Sequence, residues 1–215
     1  MIVIIGSEKG GTGKTTIATN LAAMHSGRGM ECLLVDTDKQ SSSNYWSNSR
    51  DEDSSLKRVT CVQKLGKSVG KEILALSEKY KDIVVDSGGR DTYEIRSALT
   101  VADYLYVPIQ PAQFDIWTLS QMDSLLEEVS LINPKLKTFV VFNRVSTNPV
   151  IKEVDEAVSL LENYKNLKFS GIILRERISY RKAAAQGASV GEIKNIDPKA
   201  VLEITALYDY VFSRP

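Results

Sequence analysis

Short apolar runs punctuate the chain. Ile2–Ile5, Cys32–Val35, Ile83–Val85, Tyr104–Ile109, Thr138–Phe142 and Phe169–Leu174 are each a few residues long and mostly apolar, the pattern of strands covered on both faces. Between the first two, Ile17, Leu21 and Met24 recur at helical spacing, and Gly27 and Gly29 close that helix, the second as a left-handed stop. Further helical stretches fall near 114–131, 151–164 and 198–212, the last with Val201, Ile204, Tyr208 and Val211 on one face. Strands alternating with helices predict an α/β fold, a mostly parallel twisted sheet with helices on both faces. Right-handed crossovers then bring the strand C-terminal ends to one edge, where ligands bind. No repeat or long linker divides the chain, so residues 1–215 read as a single domain. Residues 39–58, rich in Ser, Asn and charge, read as an exposed connection.

Composition narrows the class. Of 215 residues, 43% are hydrophobic and 25% charged, which excludes a fibre, a coiled coil and a disordered chain. Lys plus Arg and Asp plus Glu are both 27, so binding to nucleic acid or lipid must come from a local patch or from dimerisation. Cys32 and Cys61 are too few for a disulfide scaffold and fit a reducing compartment. Met1–Gly6 has no basic flank and is too short for a signal peptide. No run approaches the roughly 20 apolar residues of a spanning helix. A cytoplasmic protein is the expectation.

The sharpest chemical signal is Lys9-Gly10-Gly11-Thr12-Gly13-Lys14-Thr15-Thr16, after a strand and before a helix. A triphosphate needs many donors and little steric bulk near its oxygens. Glycines let successive N–H groups turn inward as an anion nest, and the helix N-terminus adds partial positive charge. Lys14 has the reach for β- and γ-phosphates, and the Thr15 hydroxyl suits Mg²⁺. Glu8 stands where the general pattern has its first Gly. Thr16 stands where a dinucleotide fingerprint would need its third. The motif therefore predicts a P-loop NTPase, with Gly10 to Thr16 binding the nucleotide.

Two other strands end in carboxylates. Leu33-Leu34-Val35-Asp36-Thr37-Asp38 places Asp36 to support the Mg²⁺ shell and Asp38 to orient the attacking water. Ile83-Val84-Val85-Asp86 matches the apolar strand and Asp that hold Mg²⁺ in such enzymes. The Ser87-Gly88-Gly89 that follows reads as a turn near the γ-phosphate. Each Asp alone would be an ordinary strand-end turn former; three at one edge beside a phosphate loop point to phosphoryl chemistry.

Together, Lys9 to Thr16, Asp36-Thr37-Asp38-Lys39-Gln40 and Asp86 resemble the deviant Walker-type ATPases of the ParA/MinD family, and within it the short ParA-type partition ATPases. Val107-Pro108-Ile109-Gln110-Pro111, Phe142-Asn143-Arg144 and Arg175 to Glu192 extend the likeness. The resemblance implies that Lys9 is the signature lysine, reaching the ATP of the other subunit in an ATP-dependent homodimer. With it, Lys14 and Asp38 form the catalytic set. Thr15, Asp36 and Asp86 would hold the metal. Asn143, Pro108 and Pro111 would lie where adenine is held, and Gln40 and Asp115 at the dimer interface. Lys39 replaces the family's usual Pro before Gln40, and Ser-Gly-Gly-Arg replaces its usual Pro-containing run after Asp86.

The resemblance further implies nonspecific DNA binding by the ATP dimer, association with the nucleoid, and a centromere-bound, ParB-like adaptor that stimulates slow hydrolysis. Plasmid or chromosome segregation would follow. From Lys165 to Lys182, six basic residues (Lys165, Lys168, Arg175, Arg177, Arg181, Lys182) face Glu176 alone. Arg177, Arg181 and Lys182, around a predicted helix start, are the candidate phosphate contacts. About three contacts per subunit predict a log–log salt slope near −5 for the dimer. With the first strand at Ile2–Ile5, no N-terminal helix-turn-helix domain is expected.

Other readings predict different features. A ParA-like positioning ATPase for a protein cargo would share this biochemistry. A MinD-type membrane-cycling protein would end in a basic amphipathic tail, whereas residues 209–215 read as core packing, so no membrane partner is expected. An iron–sulfur reductase needs paired cysteines, and a ligase needs a substrate pocket that no motif supplies. His25 reads as a surface or helix-end residue, Trp46 and Trp117 as packing or interface anchors, and Tyr180 as a residue that could approach DNA.

Overall fold

Seven strands lie side by side in the order β3-β2-β4-β1-β5-β6-β7, every pairing parallel. They are β1 (Ile2–Ser7), β2 (Cys32–Asp36), β3 (Thr60–Gln63), β4 (Asp82–Gly89), β5 (Tyr104–Ile109), β6 (Lys137–Val145) and β7 (Lys168–Arg175). The computed structural model describes residues 1–89, 92–112, 117–148 and 153–213. Among these the helices are α1 (Lys14–Gly27), α2 (Ser42–Asp51), α3 (Val69–Leu76), α4 (Tyr93–Leu99), α5 (Leu119–Ser130), α6 (Glu153–Leu161), α7 (Ile178–Ala184) and α8 (Pro198–Phe212).

The period-two geometry of a strand divides the core into two layers. Ile2 and Ile4 point to one side, with Val69 and Ile73 of α3 and Leu125 and Leu126 of α5. Val3 and Ile5 point to the other, with Ile17 and Leu21 of α1, Trp46 of α2 and Leu207 and Tyr208 of α8. Burial on both faces explains why the strands lack polar alternation. The chain leaves β1 toward β2 on one side and later crosses to β5 on the other. This makes the C-terminal end of β1 the switch point at which open α/β sheets bind ligands.

The sheet margins are short or irregular. β3 has four residues. In β7, Gly171 has φ of 80°, and the pairing with β6 shifts register between Val140 and Phe142 and again before Val145.

The predicted strands are all present. β3, α3 and α4 are additional, the helix predicted to start near Arg177 is α7, and Ser87-Gly88-Gly89 continues β4 instead of turning. The expectation for residues 39–58 is corrected: α2 occupies much of the segment and buries Ser43, Trp46, Ser47 and Arg50. Arg50 is fully buried, with Nη1 and Nη2 donating to Glu192 at 2.9 and 2.7 Å, Nη1 to the Gly187 carbonyl and Nε to that of Lys57. Trp46 Nε1 donates to the Ala188 carbonyl. Gly187 lies so close that a Cβ there would meet Arg50 N at 2.2 Å.

His25 is likewise corrected. It is 1% exposed. Its Nδ1 lies 3.0 Å from the Tyr208 hydroxyl and its Nε2 3.2 Å from Asp82 Oδ2, so α1, α8 and the start of β4 enclose it.

Candidate nucleotide site

The phosphate loop joins β1 to α1. Gly11 and Gly13 have φ of 78° and 93°, a left-handed region disfavoured for residues with a Cβ. At Gly13 a Cβ would also lie 2.2 Å from Asn143 Nδ2, so turn and packing both require glycine. Ser7 Oγ lies 2.7 Å from Thr12 Oγ1, fastening the base of the loop to its crest. Lys14 Nζ donates to the Lys9 carbonyl at 2.9 Å and approaches Ser7 Oγ at 3.4 Å. Burial lowers the Lys14 pKa, opposed by the charges of Asp86 and Asp38. Lys9 itself is exposed.

Lys9, Gly10, Gly11, Gly13, Lys14, Thr15 and Thr16 line one cleft together with Asp38, Gln40, Ser42, Gly89 and Arg144. Its volume is about 680 Å³. The predicted phosphate loop and the predicted water-orienting Asp38 thus meet in one space. Thr12 turns its hydroxyl to Ser7 and its carbonyl to Asn143, whose Nδ2 donates at 2.7 Å.

The residues expected near adenine lie apart from this cleft. Asn143 supports the loop from behind and is committed to Thr12. Pro108 sits inside β5, paired in register with Val141, and Pro111 is buried. None of the three lines the cleft. Asp115 lies outside the described residues.

Asp36 and Asp86 are register partners on adjacent strands. Each is raised in pKa by burial, Asp86 to about 7. Asp86 accepts from the Ser43 hydroxyl at 2.7 Å through Oδ2. Its Oδ1 is buried with no hydrogen-bond partner among the described residues. Asp36 does different work from the metal contact expected: Oδ2 accepts the N–H groups of Ser43 and Asn44 at the start of α2, and Oδ1 accepts that of Asp38.

No group of three or more His, Cys, Asp or Glu residues suited to a metal occurs among the described residues. That fits Mg²⁺, which is commonly held by one or two carboxylates plus substrate phosphates. The unpartnered Asp86 Oδ1 fits such a site.

The basic segment does not form one patch. Lys165 and Lys168 lie at the N-terminal edge of the sheet, while Arg175 ends β7. The seven-residue rise between Lys168 and Arg175 is about 23 Å. Arg177 is corrected as a DNA contact: its Nη2 pairs with Glu203 Oε1 at 2.6 Å, its Nη1 lies 3.6 Å from Asp197, and its side chain is 13% exposed. Tyr180 is buried and donates to the Ala200 carbonyl. Arg181 and Lys182 remain exposed on α7, Arg181 lying 3.7 Å from Glu176.

Comparison with known proteins places this geometry. Residues 3–190 match the family model described as the CobQ/CobB/MinD/ParA nucleotide binding domain. The chain belongs to this family. Among curated MinD/ParA-type relatives, the maintenance of carboxysome distribution protein A of Halothiobacillus neapolitanus is 28% identical, covering 96% of this chain and 94% of that one. Protein ParA of Rhizobium radiobacter is 26% identical over 90% and 86%. In structure, the septum site-determining protein MinD of Pyrococcus horikoshii, complexed with Mg-ADP, superposes with a TM-score of 0.72 at 16% identity, covering 98% and 95%. The fold is that of a MinD/ParA P-loop NTPase.

Ser7, Ser43 and Arg144 are site residues that sequence reasoning did not assign. Ser7 was one residue outside the motif. Arg144 was legible only as part of Phe142-Asn143-Arg144; its φ of 55° turns it to the cleft rim.

Proposed function

We propose that the protein is a Mg²⁺-dependent ATPase that works as an ATP-gated dimer and positions a cargo, with DNA as the first candidate. The carrying observation is the pair of lysines in one loop. Lys14 is folded into the cleft floor, whereas Lys9 stands exposed on its rim, which supports a role for Lys9 toward a triphosphate held by a second copy. A lysine supplied across an interface makes association depend on the γ-phosphate.

In this reading the amides of Gly10 to Thr16 and Lys14 hold the phosphates. Thr15 and Asp86 would hold Mg²⁺, with Asp36 supporting them from behind, and the ion would supply positive charge to the β- and γ-oxygens. Asp38, fixed by its acceptance of the Gln40 N–H at 2.9 Å, orients the water and takes its proton. The open mouth of the cleft is closed by the partner copy, which excludes bulk water.

Arg181 and Lys182, doubled by dimerisation, are the proposed phosphate contacts for nonspecific DNA in a nucleoid-associated, cytoplasmic protein. A centromere-bound, ParB-like adaptor would stimulate hydrolysis. A protein cargo is the second reading, supported by the likeness to a carboxysome distribution protein. No helix among the described residues is long and apolar enough to cross a membrane. The buried face of α8, with Ile204, Leu207, Tyr208 and Val211, supports core packing over lipid binding.

The test compares sedimentation and DNA binding in ADP, ATP and a nonhydrolysable ATP analogue. Dimers and DNA binding in ATP and in the analogue, but not in ADP, support the reading. A monomer in every state, or Lys9→Ala dimerising like the wild type, overturns it.

A further inference from the structure

We propose that Ser43 is a positioning residue for the metal: it fixes the carboxylate of Asp86 and joins it to the segment that carries Asp38. The proposal rests on the Mg²⁺-nucleotide reading above and goes beyond it, since no phosphate-loop or strand-end motif includes Ser43.

Ser43 is fully buried, in the first turn of α2. Its two polar groups face two strands. The hydroxyl donates to Asp86 Oδ2 at 2.7 Å, and the backbone N–H donates to Asp36 Oδ2 at 2.9 Å. Asp36 Oδ1 in turn accepts the Asp38 N–H at 2.9 Å. One continuous chain of hydrogen bonds therefore runs from the metal carboxylate, through Ser43 and Asp36, to the residue assigned to the attacking water.

The geometry dictates what this chain does. Asp86 has two oxygens, and only Oδ1 is without a partner. With Oδ2 engaged by Ser43, the carboxylate cannot rotate freely, and Oδ1 is the oxygen presented for a metal or a metal-bound water. Ligating carboxylates elsewhere are held by outer hydrogen bonds of this kind, and losing one typically costs 10–100-fold in metal affinity. Ser43 can hold its position because Asp36 caps the helix that bears it. A carboxylate accepting N–H groups at a helix start is favourable both as a cap and toward the helix dipole. Asp36 thus acts on Asp86 through Ser43.

Calorimetric titration with a nonhydrolysable ATP analogue, in excess Mg²⁺ and in EDTA, tests the proposal. The ratio of the two affinities measures the contribution of the metal. Ser43→Ala is expected to lower that ratio about tenfold while leaving the EDTA affinity near wild type. An unchanged ratio in a folded Ser43→Ala protein overturns the proposal and reduces Ser43 to a structural contact. Asp36→Asn provides a second variant. If Asp36 acts through Ser43, the double variant loses no more than Ser43→Ala alone, whereas fully additive losses overturn the chain. Asp86→Asn separates the two levels: a ratio unaffected there removes the metal reading itself, and a ratio lowered there but intact in Ser43→Ala removes only the role of Ser43.

Discussion

Arg50 and Glu192, 142 positions apart, meet in a bidentate pair beneath α2, with the guanidinium fully buried and the carboxylate on the loop after α7. Ser189 N–H and Arg50 both hold Glu192, and the Glu192 pKa is lowered, with burial opposing and the Arg50 bond favouring the charged form. Truncating one partner of such a pair leaves an uncompensated charge. Arg50→Ala should cost about 3–5 kcal/mol in urea unfolding, and replacing both residues with Met should cost far less. Equal losses for the single and double variants would mean that packing, not charge pairing, dominates.

Hydrolysis and assembly should separate at Asp38. Asp38→Ala is expected to retain ATP-dependent dimers and to lose at least about 100-fold in kcat, the usual scale for a positioned proton acceptor. Lys14→Ala should abolish ATP binding. Phosphate-release assays and sedimentation read the two effects, and normal turnover by the Asp38 variant would refute its assignment.

The polyanion surface reduces to fewer contacts than the sequence count implied. With Arg177 engaged by Glu203 and Asp197, Arg181 and Lys182 leave about two phosphates per subunit, and the dimer's log–log salt slope should be near −3.6. Replacing both with Ala should flatten it. Arg177→Ala should instead lower stability by about 2 kcal/mol, the scale of a charged hydrogen-bonded pair, with the slope unchanged.

How much of this was legible beforehand follows from where the signals sit. Lys9 to Thr16 is contiguous, and its chemistry is fixed by local backbone shape, so the phosphate site could be read directly. Runs such as Ile2–Ile5 declare themselves by lacking alternation. The helix α2 does not, because Ser43, Ser47 and Arg50 are polar residues buried against partners far away in sequence: Ser47 donates to the Val59 carbonyl and Arg50 pairs with Glu192. Composition made that segment look solvated. Asp36 was read as a metal group because strand-end position is visible in sequence, whereas the amides of Ser43 and Asn44 that occupy it depend on how α2 returns. Arg177 and His25 failed for the same reason, their partners coming from α8 and β4.

His25 makes stability depend on pH. Burial lowers its pKa from 6.5, against the pull of Asp82. A neutral ring suits both neighbours, with Nε2–H donating to Asp82 and Nδ1 accepting from Tyr208, a tautomer assigned from the network. Arg28 and Lys81 also disfavour the cation. The unfolded chain therefore binds the proton first, and stability falls as pH drops below about 6.5. Urea midpoints at pH 7.5 and 5.5 should differ more for the wild type than for His25→Gln. An equal shift in both would assign the acid sensitivity to other groups.

The irregular margins of the sheet constrain how copies of this chain can meet. A four-residue strand at one border offers few backbone groups, and the kink at Gly171 bends the other away from straight pairing. Both discourage the addition of a foreign strand. Stacking copies edge to edge into a continuous ribbon is accordingly disfavoured, and self-association is steered toward the loops at the strand tips, where occupancy of the cleft can make or break the contact.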